Sequence, residues 1–323
     1  MSEFKHIPVL LEACRRLLTP QAGHTLVDVT LGGAGHARAL ASALESEGLF
    51  IGLDRDPDAI AAATERLAAL PCRKHLAQAN FEALARALEE AGLRAKENLG
   101  EQAKRPMDKK PIDRLLADLG VSSHQLETPS RGFSFRDDGP LDMRMEQSGQ
   151  SAATLLAHSS EEELARILAQ GDVPRARSMA RAIKAAQQEG RLESTGDLRR
   201  LCEKRIPARR AQHHPATLVF QAIRMAVNRE LESLVALLEA LPRFMAPGGR
   251  VGIISFHSGE DRIVKQHMRA WQHPCVCPPR LPMCACGSLP LGRSLGDFVA
   301  DDEELSRNPR ARSARLRVFE FDR

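Results

Sequence analysis

Polar side chains set around a glycine-rich turn, and acids that close apolar runs, are the residues here whose types and spacing suit chemistry. The turn is Asp28-Val-Thr-Leu-Gly32-Gly33-Ala34-Gly35-His36. Glycines at such a place let the backbone turn tightly and approach a ligand closely. A dinucleotide site prefers Gly-x-Gly-x-x-Gly, and Thr30 stands in its first position. A methyl-donor site of the form Asp-x-Gly-x-Gly-x-Gly is matched except at Thr30 and Ala34. Asp54 closes a second apolar run nineteen residues beyond Gly35, and an acid at about that distance accepts hydrogen bonds from ribose hydroxyls. Asp56 reads as the start of a helix. Phe81 offers a ring to an adenine, although a lone residue of this kind is more often core. Asp118 closes a further apolar run and opens Asp118-Leu-Gly-Val-Ser-Ser-His-Gln125. No lysine follows the glycines, so a P-loop is excluded; His213 and His214 lack a zinc-protease frame, and Ser255-Phe-His257-Ser is not a nucleophile elbow.

These residues need a scaffold that brings strand ends together. His24–Val29, Gly48–Leu53, the weaker His75–Gln78 and Ile112–Ala117 read as strands. Alanine-rich or amphipathic helices follow the first three, from Ala37, from Pro57 and from Phe81. Such alternation implies a parallel sheet covered by helices, with ligands beyond the carboxyl ends of its strands. Arg94–Lys110 reads as an exposed loop. After Gln125 the pattern changes to an irregular stretch and then helices, including one long helix from Pro215 to Leu241. Strands return only at Arg250–Phe256, fed by a Pro247-Gly-Gly turn, and at Ala314–Phe321. The expected organisation is a discontinuous α/β core, 1–125 and 228–323, with a mostly helical insertion over 126–227.

Composition bounds the partners. The chain has 323 residues, 43% hydrophobic and 27% charged, with a net charge of +4; these values fit an ordinary globular protein. No apolar run reaches the ~18 residues of a membrane span, and the first residues make a poor signal peptide, so a cytoplasmic protein is expected. Basic residues are unevenly spread. Between Arg175 and Arg210 there are eleven Lys or Arg against four acids, a cluster suited to phosphates or to a solvated helical face. Arg310, Arg312, Arg315 and Arg317 form a second. Cys14, Cys72 and Cys202 read as core residues. Cys275, Cys277, Cys284 and Cys286 have one residue between paired cysteines where zinc fingers have two or more; a Pro-rich loop of thiols with no metal is expected.

Longer words narrow the function. His6-Ile-Pro-Val-Leu, Asp28–His36, Leu53-Asp-Arg-Asp-Pro57, Asp118–Ser123, Arg131-Gly-Phe-Ser-Phe135, Asp138–Met145, His214-Pro-Ala-Thr217, Ser255-Phe-His-Ser258, Glu260–Val264 and Asn308–Ser313 occur in order along nearly the whole chain. In these words the sequence resembles the small-subunit ribosomal RNA cytosine-N4 methyltransferase family (RsmH or MraW). Gly259 departs from the family's usual leucine, and Arg94–Lys110 is longer than typical. The resemblance implies a Rossmann-like core with a helical insertion that helps hold RNA, and methyl transfer from S-adenosylmethionine to the exocyclic amine of a cytidine. It puts donor binding on Ala34, Gly35, His36, Asp54, Phe81, Asp118 and Gln125, to which the glycine turn itself adds Gly32 and Gly33. It makes Asp118 the first candidate for catalysis, with Asp142 and His257 behind it. The implied partner is small-subunit ribosomal RNA or the subunit itself, with no membrane and no DNA. The alternatives are an RNA-binding assembly factor without catalysis and a DNA amino-methyltransferase, although the Pro-Pro-aromatic word usual in the latter is absent after Asp118.

Overall fold

The computed structural model describes residues 8–91, 112–206, 214–275, 277–278 and 285–322. The chain divides into two compact units, 1–120 with 232–323, and 121–231. Those limits fall a few residues from the divisions at 125/126 and 227/228 read from sequence. The expected loop at Arg94–Lys110 lies outside the described residues.

The first unit opens with α1 (Leu11–Leu18), β1 (Thr25–Asp28), α2 (Gly35–Ala41), β2 (Leu49–Asp54), α3 (Pro57–Leu67), β3 (Arg73–Gln78), α4 (Leu84–Glu90) and β4 (Ile112–Asp118). The second unit holds α5 (Ser123–Glu127), α6 (Ala152–His158), α7 (Glu161–Gln170), α8 (Ala176–Gln188), α9 (Thr195–Arg205) and α10 (Ala216–Asn228). The chain then completes the first unit with α11 (Glu230–Ala240), β5 (Met245–Ser255), α12 (Ser258–Gln272), β6 (Gly292–Phe298), α13 (Asp302–Arg307) and β7 (Arg315–Phe321).

The seven strands form one sheet in the order β3-β2-β1-β4-β5-β7-β6. Strands β1 to β5 pair in parallel, and β7 runs antiparallel to both β5 and β6. β1 is buried throughout, and β2 and β4 nearly so, as expected of parallel strands covered on both faces. One apolar cluster takes in Leu237, Leu238, Met268, Trp271 and Phe319; the other takes in Leu18, Leu26, Leu40, Phe50 and Leu316. The order reverses between β1 and β4, which makes the carboxyl ends of those two strands the topological switch point. This is the Rossmann-like α/β core expected from the sequence.

Three elements differ from expectation. β6 was not foreseen: it is a half-exposed edge strand with an irregularity between Ser294 and Gly296, so it lacks alternation. Pro247-Gly-Gly is not a turn before β5 but lies within it. The long helix from Pro215 to Leu241 is two helices, broken at Arg229, whose φ is +49°. Asn228 fixes the break. Its side-chain oxygen accepts from the Met145 N–H at 2.9 Å, and its amide donates to the Met143 and Arg224 carbonyls at 2.7 and 2.8 Å. Arg224 then reaches across the break to Glu230 through two hydrogen bonds.

The second unit buries its own core, with Met143, Leu156, Leu164, Leu168, Ile183 and Leu198 among its members. Helices α7 and α9 begin with reciprocal caps, Ser160 with Glu163 and Ser194 with Asp197, each satisfying two N–H groups left over at the helix start. Asp138 is anchored to the start of α9, accepting from Gly196 N–H at 2.8 Å.

Candidate active site

Strand register sets the geometry. Asp28 lies opposite Gly52 of β2 and Leu116 of β4. Asp54 and Asp118 each sit two residues beyond those partners, so they flank Thr30 from either side. All three meet through Thr30 and the turn after it. The Asp118 N–H donates to Thr30 Oγ1 at 2.6 Å, and the Thr30 N–H and hydroxyl donate to Asp28 Oδ1 at 3.0 and 3.3 Å. On the other side the Gly32 N–H donates to Asp54 Oδ2 at 2.7 Å, and Asp54 Oδ1 accepts from Asp56 N–H at 2.9 Å. Thr30, at sequence level a departure from the glycine pattern, ties β1 to β4 by its hydroxyl. Asp56 caps α3, accepting from Asp58 N–H.

The turn is held tightly. Ala34 carries φ +58°, a left-handed conformation that is costly for a residue with a Cβ. A methyl at Gly35 would lie 2.5 Å from Cγ of Pro8, so only glycine fits. His36 is buried, with Nε2 2.8 Å from the Val9 carbonyl. A carbonyl only accepts, so Nε2 carries the proton. Nδ1 then presents its lone pair 3.6 Å from Asp118 Oδ2.

Asp118 is the electrostatic centre. Burial, and then the nearby Glu260 charge, push its carboxyl up to about 7. Burial likewise pushes Asp28 up to about 6, against the hydrogen bonds from Thr30, and raises Asp54 against those from Asp56 and Gly32. Among the described residues, Asp118 Oδ1 is buried without a hydrogen-bond partner. Gly120, two residues on, has φ +102° and no atom nearer to an added methyl than Phe256 at 3.9 Å. A buried acceptor beside an open backbone calls for a ligand N–H, since leaving such an oxygen unsatisfied costs about 1–3 kcal/mol.

Phe81 is half-buried against the core beside these strand ends. His257 caps α12, its Nδ1 accepting from Glu260 N–H at 3.3 Å, with Nε2 3.1 Å from Glu260 Oε1. Glu260 is buried and accepts from Phe256 N–H at 2.9 Å. Sequence reasoning passed over Glu260, although it opens one of the words quoted above.

Gln125 and Asp142 belong to the second unit. Gln125 forms a reciprocal cap with Ser122 at the start of α5. Asp142 holds the Arg144 guanidinium at 2.6 to 3.2 Å. Burial raises the Asp142 carboxyl, but the Arg144 hydrogen bonds outweigh it and hold the group below its ordinary value. That pairing suits a structural carboxylate better than a proton acceptor.

The model of the MraW methylase family matches residues 3–322. The chain belongs to this family. Relatives named ribosomal RNA small subunit methyltransferase H match it end to end. The one from Geotalea uraniireducens is 46% identical, covering 99% of this chain and 99% of its own. That from Myxococcus xanthus is 44% identical over 99% and 98%, and that from Symbiobacterium thermophilum 42% over 98% and 96%. In this methylase the two carboxylates that end β2 and β4, Asp54 and Asp118, stand at one switch point.

Proposed function

We propose that this methylase transfers a methyl group from S-adenosylmethionine to the exocyclic N4 amine of a cytidine in small-subunit ribosomal RNA. The observation that carries the reading is the buried, unpartnered Asp118 oxygen at the switch point of a chain that belongs to the MraW methylase family. The donor fits the residues present. Asp54 retains free lone pairs for ribose hydroxyls, Phe81 offers an apolar face to adenine, and the Gly32–Gly35 backbone leaves room for close approach. When bound, S-adenosylmethionine supplies a methyl carbon made electrophilic by its sulfonium.

The amine of cytosine is a weak nucleophile because its lone pair is delocalised into the ring. An ionised Asp118 accepting an amine hydrogen draws that lone pair back to nitrogen. The Gly120 backbone leaves space for the base, and positioning for in-line approach supplies much of the acceleration. No covalent adduct with the base is needed, so no cysteine is assigned to catalysis.

The second unit is the candidate RNA-binding part. Arg199 and Arg200 already lie against Glu203 and Asp197, and Arg209 and Arg210 lie outside the described residues. Arg175, Arg177, Lys204 and Arg205 are exposed and test the idea better. Neutralising these four lowers RNA affinity and reduces the slope of log affinity against log salt by up to ~0.7–0.9 per lost phosphate contact, with donor binding retained. Equal affinity and equal slope would make the cluster a solvated face.

Among the described residues no helix is long and apolar enough to cross a membrane; small-subunit ribosomal RNA as substrate fits a cytoplasmic enzyme with no DNA partner. Incubation with labelled donor and small subunits lacking the modification tests the proposal: label enters the RNA, and a non-catalytic assembly factor transfers none.

A further inference from the structure

The segment between the end of α12 at Gln272 and the start of β6 at Gly292 contains no helix or strand among its described residues. Its two ends are tied together. The Leu291 N–H donates to the Trp271 carbonyl at 2.8 Å, and the Ser294 N–H donates to Gln272 Oε1 at 3.3 Å. Long connections without regular structure lose much conformational freedom on folding and are uncommon in compact domains unless they serve a function or are clipped shut.

Three thiols converge inside it. The Sγ atoms of Cys275, Cys277 and Cys286 all lie within 4.8 Å of one another. Cys275 and Cys286 are exposed and 3.7 Å apart at sulfur. Cysteine is among the most buried residue types, so a group of them on an exposed loop is not explained by packing. The distance is informative. Tetrahedral zinc with Zn–S bonds of about 2.3 Å holds its sulfurs about 3.8 Å apart. The Ala285 N–H also donates to Cys277 Sγ at 3.3 Å, which fixes the position of that sulfur from the far end of the segment. The single-residue spacing within each Cys-x-Cys pair is unlike that of a zinc finger. The fold overrides that objection, because it closes the loop and brings thiols from both ends of the segment to one point.

We infer that Cys275, Cys277 and Cys286 bind one zinc ion as thiolates and clip shut the connection between α12 and the edge strand β6. Each thiol gives up its proton to solvent on binding, and no electrons are exchanged. Soft thiolate donors select zinc over the oxygen-preferring divalent ions. The fourth position of the tetrahedron takes a further donor. Cys284 lies outside the described residues, and the assignment does not depend on it.

Elemental analysis of full-length, untagged protein purified without chelators tests the site. The expected result is about one zinc per chain, falling at least ~10-fold in the combined Cys275→Ser, Cys277→Ser, Cys286→Ser variant. The variant keeps affinity for S-adenosylmethionine, which reports that its core is folded. If it does not fold, two measurements on the wild-type chain decide. Cobalt titration of metal-stripped protein gives a thiolate-to-cobalt charge-transfer band, and chelation makes these thiols newly reactive to alkylation. Less than a tenth of a zinc per chain from zinc-replete cells, with no charge-transfer band, overturns the inference. So does zinc retained by a folded triple variant, stoichiometric iron in place of zinc, or a disulfide among these cysteines in the intact mass.

Discussion

Replacing Asp118 by asparagine lowers turnover at least ~10-fold, an effect of about 1.4 kcal/mol or more on the barrier. The substitution keeps the shape and the backbone hydrogen bond to Thr30 but removes the charge that an amine hydrogen would meet. Because the carboxyl is pushed up to about 7, and its ionised form is much the stronger acceptor for the amine hydrogen, wild-type turnover falls as pH drops below about 7. The asparagine variant loses that dependence. Stability moves the other way. Asp118 and Asp28, raised to about 7 and about 6, hold protons in the folded chain at pH values where the unfolded chain has released them. Their contribution is therefore full below about pH 4 and is lost as pH rises through 6 to 7. Asp118→Asn removes part of that loss, so the donor-free variant melts at a higher temperature than wild type at pH 8 while turning over more slowly. Near-wild-type turnover with an unchanged pH profile would remove Asp118 from the chemistry.

Asp54→Ala weakens S-adenosylmethionine binding by about 1.5–3 kcal/mol, roughly 10- to 150-fold in Kd. Two losses combine. The ribose hydroxyls lose their acceptor, and the Gly32 and Asp56 N–H groups, at 2.7 and 2.9 Å in the native chain, lose theirs. The second loss loosens the turn that carries Gly32 to Gly35. Asp54→Asn keeps one oxygen and falls between wild type and alanine. Calorimetry on folded protein measures both, and unchanged affinity in Asp54→Ala would exclude this acid from the donor site.

Much of the core was legible because its signals are local. β1, β2 and β4 are apolar runs ended by Asp28, Asp54 and Asp118, and an acid at such a boundary is visible without knowing what it faces. The edge strand β6 was hidden because Arg293, Ser294 and Asp297 leave no alternation to read. Helix propensity runs unbroken from Ala216 to Ala240; the break at Arg229 comes from Asn228 bonding residues more than eighty positions away, which no local pattern carries. Thr30 illustrates the same limit at the site. Set against a glycine pattern it is a mismatch, whereas its hydroxyl links two strands eighty-eight positions apart in the chain. Glu260 raises Asp118 only because α12 starts where β4 ends, a juxtaposition made by sheet order. The three thiols of the α12–β6 connection meet for a similar reason: the sheet edge returns the chain to where it left.

The central claim, amine methylation of a ribosomal cytidine, is tested most directly by the modified nucleoside itself. Small subunits lacking the modification are incubated with the enzyme and S-adenosylmethionine, the RNA is digested to nucleosides, and the products are separated by chromatography and identified by mass spectrometry. The account predicts a cytidine methylated on N4, formed by wild type and at least ~10-fold more slowly by Asp118→Asn. A cytidine methylated on ring carbon C5, whose formation requires a covalent adduct with the base, would contradict it.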